Sequence, residues 1–131
     1  MAVKVLIVDD QKAFRVAARE VVNVTQGFEV VGEAETGDDS ILAARRLHPD
    51  LVLMDVNLPG IDGLEASRRI KAEQPEVVVL LLSTYDREDF ATRIAGSGAS
   101  AFIAKASFGP HSLSDVWLKS SNRLDREGDA F

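Results

Sequence analysis

The chain of 131 residues has no cysteine, so it forms no disulfide and offers no thiol as nucleophile or metal ligand. Histidine is scarce too: His48 and His111 stand alone, far apart, and read as surface residues. Without a Cys or His cluster, a soft-metal site is disfavoured. Basic residues are outnumbered, 15 Lys plus Arg against 21 Asp plus Glu, for a formal net charge of −6. That balance disfavours non-specific nucleic-acid binding, whose affinity comes from Lys and Arg on phosphates. No apolar run reaches the ~18 residues that span a bilayer, so no membrane partner is expected. The opening Met1-Ala2-Val3-Lys4 has no leader pattern, and the cytoplasm is the expected compartment. What remains, 46% hydrophobic and 27% charged residues, fits one folded domain with a substantial core.

Two kinds of segment alternate along the chain. Short apolar runs at Val3–Val8, Phe28–Val31, Leu51–Met54, Val77–Leu82 and Ala101–Ala104 read as strands buried on both faces. Between and after them lie amphipathic stretches with helical spacing. Phe14, Ala17, Ala18, Val21 and Val22 mark the first, and Ile41, Leu42 and Leu47 the second. Leu64, Ser67 and Ile70 mark the third. Phe90, Ala91, Ile94 and Ala95 mark the fourth, and Leu113, Val116, Trp117 and Leu124 the fifth. The punctuation agrees. Asp38 or Asp39 can cap the second helix, Pro49 ends it, and Pro75 stops the third. Gly96 and Gly98 stop the fourth, and Ser112 or Ser114 can cap the fifth. Five βα units predict an α/β fold: a five-stranded parallel sheet, order 2-1-3-4-5, flavodoxin-like, with helices on both faces. Residues 1–124 form the expected domain, and 125–131 read as a polar tail or the start of a linker.

Chemistry gathers at strand ends. The first strand ends at Asp9-Asp10, the third runs into Asp55, the fourth ends at Ser83-Thr84 and the fifth near Lys105. A parallel sheet puts these ends on one edge, beside the switch point between strands one and three where ligands bind. Each residue alone has a plainer reading. An Asp pair is commonly a helix cap, Lys105 a solvated lysine, Ser83-Thr84 a strand boundary and Phe102 a core residue. The coincidence at one edge favours a site. Three carboxylates close together repel one another unless a cation neutralises them, and Mg²⁺ (or Mn²⁺) is the suitable hard ion. Carboxylates, Mg²⁺ and a lysine form an inventory for phosphoryl transfer, with an Asp oxygen as nucleophile.

These residues resemble the receiver (phosphoacceptor) domain of two-component response regulators, a fold shared with the chemotaxis response regulator. The likeness runs from about Val3 to Leu124. It is carried by Val5-Leu6-Ile7-Val8-Asp9-Asp10, by Asp50-Leu51-Val52-Leu53-Met54-Asp55-Val56-Asn57-Leu58-Pro59-Gly60-Ile61-Asp62-Gly63, by Leu81-Leu82-Ser83-Thr84 and by Gly98-Ala99-Ser100-Ala101-Phe102-Ile103-Ala104-Lys105. Phe28-Glu29-Val30-Val31-Gly32-Glu33-Ala34, and the lack of proline after Lys105, are most similar to receivers with a LuxR-type helix-turn-helix output.

The resemblance implies roles. Asp55 accepts phosphate from a sensor histidine kinase. Asp10 and Asp55 ligate Mg²⁺ directly, Asp9 acts through water, and Asn57 offers its backbone carbonyl. Lys105 contacts the phosphoryl group, Ser83 hydrogen-bonds it, and Thr84 adds its backbone N–H. Phe102 is a rotamer switch coupled to Ser83. The switched surface is helix four, strand five and helix five, and a homodimer can form there or through helices one and five. The resemblance implies a signalling domain rather than a turnover enzyme. Its output is transcription through a DNA-binding domain absent from this chain.

The sequence departs from the common pattern at four positions. Ala106 replaces a proline, Ser83 a threonine, Phe102 a tyrosine and Thr84 a frequent alanine. A non-phosphorylated interaction module of the same fold is the alternative. The intact set Asp9, Asp10, Asp55, Ser83 and Lys105 argues against it. A flavin carrier is disfavoured because Asp9-Asp10-Gln11 repels phosphate, and a haloacid-dehalogenase-like phosphatase because position 57 is Asn57 rather than Asp.

Overall fold

The computed structural model describes residues 2–84 and 91–129. Its elements run β1 (Val3–Val8), α1 (Lys12–Val24), β2 (Phe28–Ala34), α2 (Gly37–Leu47), β3 (Leu51–Asp55), α3 (Gly63–Glu73), β4 (Val78–Ser83), α4 (Ala91–Ser97), β5 (Ala101–Ala104) and α5 (Pro110–Asp129). The five strands form one sheet in the order β2-β1-β3-β4-β5, every pair parallel. This is the expected architecture and strand order. The expected core positions Phe90 and Leu124 lie outside the described residues and side chains.

Period two sorts the strand residues between two cores. Leu6, Val8, Val52, Met54, Val79 and Leu81 face α2 and α3, meeting Ile41, Ala44, Leu64 and Ile70. Val5, Ile7, Leu51, Leu53, Leu80 and Leu82 face α1 and α5, meeting Ala18, Val22, Leu113 and Val116. Burial on both faces holds for β3 and β4 throughout and for β1 from Val5 onward. It fails for β2 and β5, which stand at the sheet edges and are largely half-buried. Strand β2 also runs three residues past the expected Val31. A register shift opposite Val5 and Leu6 lets Gly32, Glu33 and Ala34 pair with Leu6, Ile7 and Val8.

Three of the expected stop and start signals are corrected. Thr36, not Asp38 or Asp39, caps α2. Its extended backbone lets the side chain accept the Asp39 N–H at 3.0 Å, whereas both aspartates already lie inside the first turn. Ser112 does not start α5 but sits in its first turn. Its hydroxyl accepts the Gly109 N–H at 2.9 Å, while Pro110 takes the first helical position, where no N–H is needed. Ser114 lies further inside the helix. Gly96 is within α4, and only Gly98, at φ +80°, lies past its end. Helix α5 continues to Asp129, so residues 125–129 of the expected tail are helical. Replacing Thr36 with alanine is expected to cost about 1 kcal/mol through the lost cap, measured as a lower urea midpoint with an unchanged slope.

Candidate functional site

The two cores fix where the reactive side chains point. Continuing the alternation of Val5 and Ile7 puts Asp9 on the α1–α5 face. Asp55 follows Leu51 and Leu53 onto that face, and Lys105 follows Ala101 and Ile103. In register, Val5 pairs with Leu51 and Ile7 with Leu53, so Asp9 and Asp55 emerge side by side. The Asp9 N–H extends the ladder to the Ala34 carbonyl at 3.1 Å, and the Val56 N–H extends it to Leu82 at 3.0 Å. The sheet itself therefore aims two carboxylates and one ammonium at the same point.

Asp9 and Asp55 are buried, at 1% and 4% exposure, while Asp10 is exposed. One carboxylate oxygen from each of the three lies within 4.8 Å of the others. Lys105 Nζ sits 2.7 Å from Asp9 Oδ2 and 3.4 Å from Asp55 Oδ2. Asp55 Oδ1 accepts the Asn57 N–H at 3.2 Å, and Asp9 Oδ1 accepts the Gln11 N–H at 2.8 Å. Asp9 Oδ2 takes no well-aligned hydrogen bond from the described residues, although the Lys105 charge is beside it. A buried carboxylate oxygen left this way, next to two further carboxylates, is a donor set that suits a hard divalent cation.

The remaining predicted residues fall around this cluster. Ser83 is buried as the last residue of β4, at the same sheet edge, and Thr84 follows it, exposed. Asn57 is exposed two residues beyond Asp55. Phe102 is half-buried in β5, opposite Leu81, and packs against the α2–α3 core rather than in the acid cluster. Ser83 pairs with Ala104, two positions along from the Leu81–Phe102 pair, so Ser83 and Phe102 share a sheet face. No described peptide bond is cis, and the chain passes from Lys105 into a short 3-10 turn, Lys105–Ser107.

Two residues near the site were not identified as site residues in the sequence. Arg15 is buried in α1. Its guanidinium donates to the Asp9 carbonyl oxygen at 2.8 Å and pairs with Glu33 at 3.2 Å and Glu35 at 3.0 Å. Its signal was positional: 15, 18 and 22 form the buried stripe of α1, and Arg15 is the charged member of it. Phe14 places its ring against Lys105, a contact that periodicity alone does not reveal. The arginine pairs Arg45-Arg46 and Arg68-Arg69 are exposed, with Arg45 on Glu73 and both Arg68 and Arg69 on Glu65. His48 is exposed at the left-handed end of α2.

Burial, and then the charge of Asp9, push the Asp55 carboxyl up to about 6, against a partial pull downward from Lys105 and the Asn57 N–H. The unfolded chain titrates Asp near 3.8, so the folded state holds this proton more tightly. The contribution of Asp55 to stability is therefore greatest below about 4 and is lost as pH rises toward about 6. Asp55→Asn removes the buried charge. In EDTA at pH 7 this variant is expected to be more stable than the native protein by about 1–3 kcal/mol. Urea unfolding at several pH values should show the difference shrinking below pH 5.

Two buried acids, an exposed third and a half-buried lysine gather at the carboxyl edge of a 2-1-3-4-5 parallel sheet. The response regulator receiver domain model matches residues 5–116, and the chain belongs to that family. It is 40% identical over 103 residues to the response regulator GacA of Pseudomonas aeruginosa, covering 79% of this chain and 48% of that protein. It is 36% identical over 116 residues to the response regulator protein VraR of Staphylococcus epidermidis, covering 88% of this chain and 54% of VraR. The chain thus spans about half the length of these relatives. Among solved structures, a LuxR-family two-component response regulator from Aurantimonas superposes with a TM-score of 0.83 at 28% identity, over 93% of this chain and 87% of that one. The expected likeness to LuxR-type regulators is borne out. Among the described residues, no helix is long and apolar enough to cross a membrane.

Proposed function

We propose that this receiver is a phosphorylation switch whose acceptor is Asp55. The convergence of Asp9, Asp55 and Lys105 on one face at one sheet edge carries the reading, with the ammonium 2.7 and 3.4 Å from the two acids. The donor is a phosphohistidine of a sensor histidine kinase. An Asp55 oxygen attacks phosphorus, the P–N bond breaks, and the imidazole leaves with the bonding pair. The product is an acyl phosphate on Asp55. Asp10 and Asp55 would hold Mg²⁺ directly, Asp9 through water, and Asn57 through its carbonyl. The metal supplies positive charge that offsets the negative phosphoryl oxygens. Lys105 supplies the second positive charge, Ser83 a hydroxyl donor and Thr84 a backbone N–H.

Phosphorylation changes the charge at Asp55 from about −1 to about −2 and adds three acceptor oxygens. Ser83 moves toward them, and Phe102, on the same face, follows inward. The surface of α4, β5 and α5 then changes shape. Shifting that equilibrium from mostly off to mostly on takes about 5.5 kcal/mol, within reach of a few charge-assisted hydrogen bonds at about 1.5–3 kcal/mol each. The output is control of transcription through a DNA-binding segment outside this chain. A dimer formed through the switched face or through α1 and α5 transmits the signal. The domain acts in the cytoplasm as a signalling element rather than a turnover enzyme.

Beryllofluoride with Mg²⁺ mimics the phosphoryl group without covalent chemistry. In amide NMR spectra it is expected to shift residues 83, 84, 102 and 105 and the α5 surface, and to leave Asp55→Ala unchanged. No Asp55-dependent shift would favour the non-phosphorylated interaction module.

A further inference from the structure

Lys105 is a long, flexible side chain placed where a charge must meet a transferring group. Its Nζ has two carboxylates on one side, and a ring on another. Nζ stands over the Phe14 ring, 4.5 Å from the centroid. The same ring meets Phe108, with centroids 6.4 Å apart and the planes tilted by 44°. Phe108 closes the turn that Lys105 opens, and its N–H donates to the Lys105 carbonyl at 3.2 Å. One side chain of α1 therefore touches both ends of the turn that carries the lysine. Ala106, next in the chain, is exposed and has no ring to fix the backbone. The Lys105 side chain is nonetheless only 11% exposed.

We propose that Phe14 is the positioning residue for Lys105. The proposal rests on the reading of Asp55 as phosphoacceptor and adds to it the group that keeps the ammonium in place. The face of an aromatic ring attracts an ammonium through its quadrupole but carries no net charge. Phe14 holds Nζ at the acid cluster while leaving its hydrogens for the acids and the incoming phosphoryl oxygens. A third carboxylate in that place would compete for those hydrogens and add repulsion to Asp9 and Asp55. Leucine at position 14 keeps an apolar contact with Phe108 but presents no π face. Lys105 then samples rotamers in which it does not meet the phosphoryl group.

The test compares native protein, Phe14→Leu, Phe14→Met, Phe14→Tyr and Asp55→Ala, each with Mg²⁺ and acetyl phosphate. Two quantities are read. One is the rate of Asp55 phosphorylation. The other is the NMR shift of the Lys105 εCH₂ group, which ring current moves upfield when the side chain lies over an aromatic face. Phe14→Leu and Phe14→Met are expected to lose the upfield shift and to phosphorylate about fivefold to tenfold more slowly. Phe14→Tyr keeps the ring and is expected to retain both. Met adapts to irregular space, so it serves if the leucine variant does not fold. A native rate in a folded Leu or Met variant overturns the proposal, as does an unshifted Lys105 εCH₂ group in the native protein. If the native protein takes no phosphate on Asp55, the parent reading fails first, and this proposal fails with it.

Discussion

Asp55→Ala is expected to abolish covalent phosphorylation by acetyl phosphate and Mg²⁺ while leaving the fold intact. The fold should survive because alanine removes a buried carboxylate that burial and Asp9 already hold in an unfavourable state. Lys105 keeps its closer partner, Asp9, at 2.7 Å. Phosphorylation should vanish because neither neighbour can take over. Asp9 is buried with one oxygen against Lys105 and the other on the Gln11 N–H, and Asp10 belongs to the exposed loop beyond β1. Only Asp55 ends the central strand, with an oxygen on the Asn57 N–H and its other oxygen 3.4 Å from Lys105. Intact-protein mass spectrometry reads the result directly. The native chain gains one phosphoryl group and the variant none. A phosphoryl group on Asp9 or Asp10 in the variant would contradict the assignment.

The largest stability effect is expected at Gly63, from the addition of one methyl group. A Cβ there would lie 1.9 Å from the Asp55 carbonyl oxygen, 2.8 Å from its carbonyl carbon and 3.0 Å from Met54 Cγ. Two of these are backbone atoms of Asp55, and Met54 is fully buried, so nothing nearby is free to yield. The contact exists because the chain turns back after β3. The Gly63 N–H donates to the Val56 carbonyl at 2.9 Å, which seats the start of α3 against the end of the strand. Gly63→Ala is expected to lower the unfolding free energy by about 3 kcal/mol or more, and whatever folds should phosphorylate poorly because Asp55 itself is displaced. Gly96 is the control. Nothing lies within 4 Å of a Cβ there, and alanine inside α4 should be neutral or mildly stabilising. Urea unfolding of the two variants checks both statements. A Gly63→Ala midpoint near the native one would mean that this close approach is absent.

Much of this geometry was legible because it is a matter of parity. Apolar runs at 3–8, 51–54 and 101–104, followed by Asp9, Asp55 and Lys105, place each reactive residue an even number of positions beyond the strand residues that face α1 and α5. Strand order alone then brings them together. Phe102 and Ser83 follow from the same count. The helix ends were less legible, because several Asp and Ser residues near α2 and α5 compete for each capping position. The choice of Thr36 depends on which residue stays extended. The extension of β2 was hidden by Glu33, a charge that an edge strand tolerates and a central strand does not. Arg15 and Phe14 were hidden for another reason. Both lie on α1, and their partners are on β2, on the loop after β1 and on the turn after β5. Helical periodicity shows that α1 has an apolar stripe, but not which strand end that stripe overhangs.

The proposed switch depends most on acids at the ends of β1 and β3 acting together on one cation, and Mn²⁺ tests this directly. As a paramagnetic substitute for Mg²⁺, it broadens the NMR signals of nearby nuclei. A one-to-one titration is predicted to erase the amide signals of residues 9, 10, 55 and 57 first, with excess Mg²⁺ restoring them and Asp10→Ala weakening the effect. Broadening centred on another acidic surface, or none that Mg²⁺ reverses, would contradict the account.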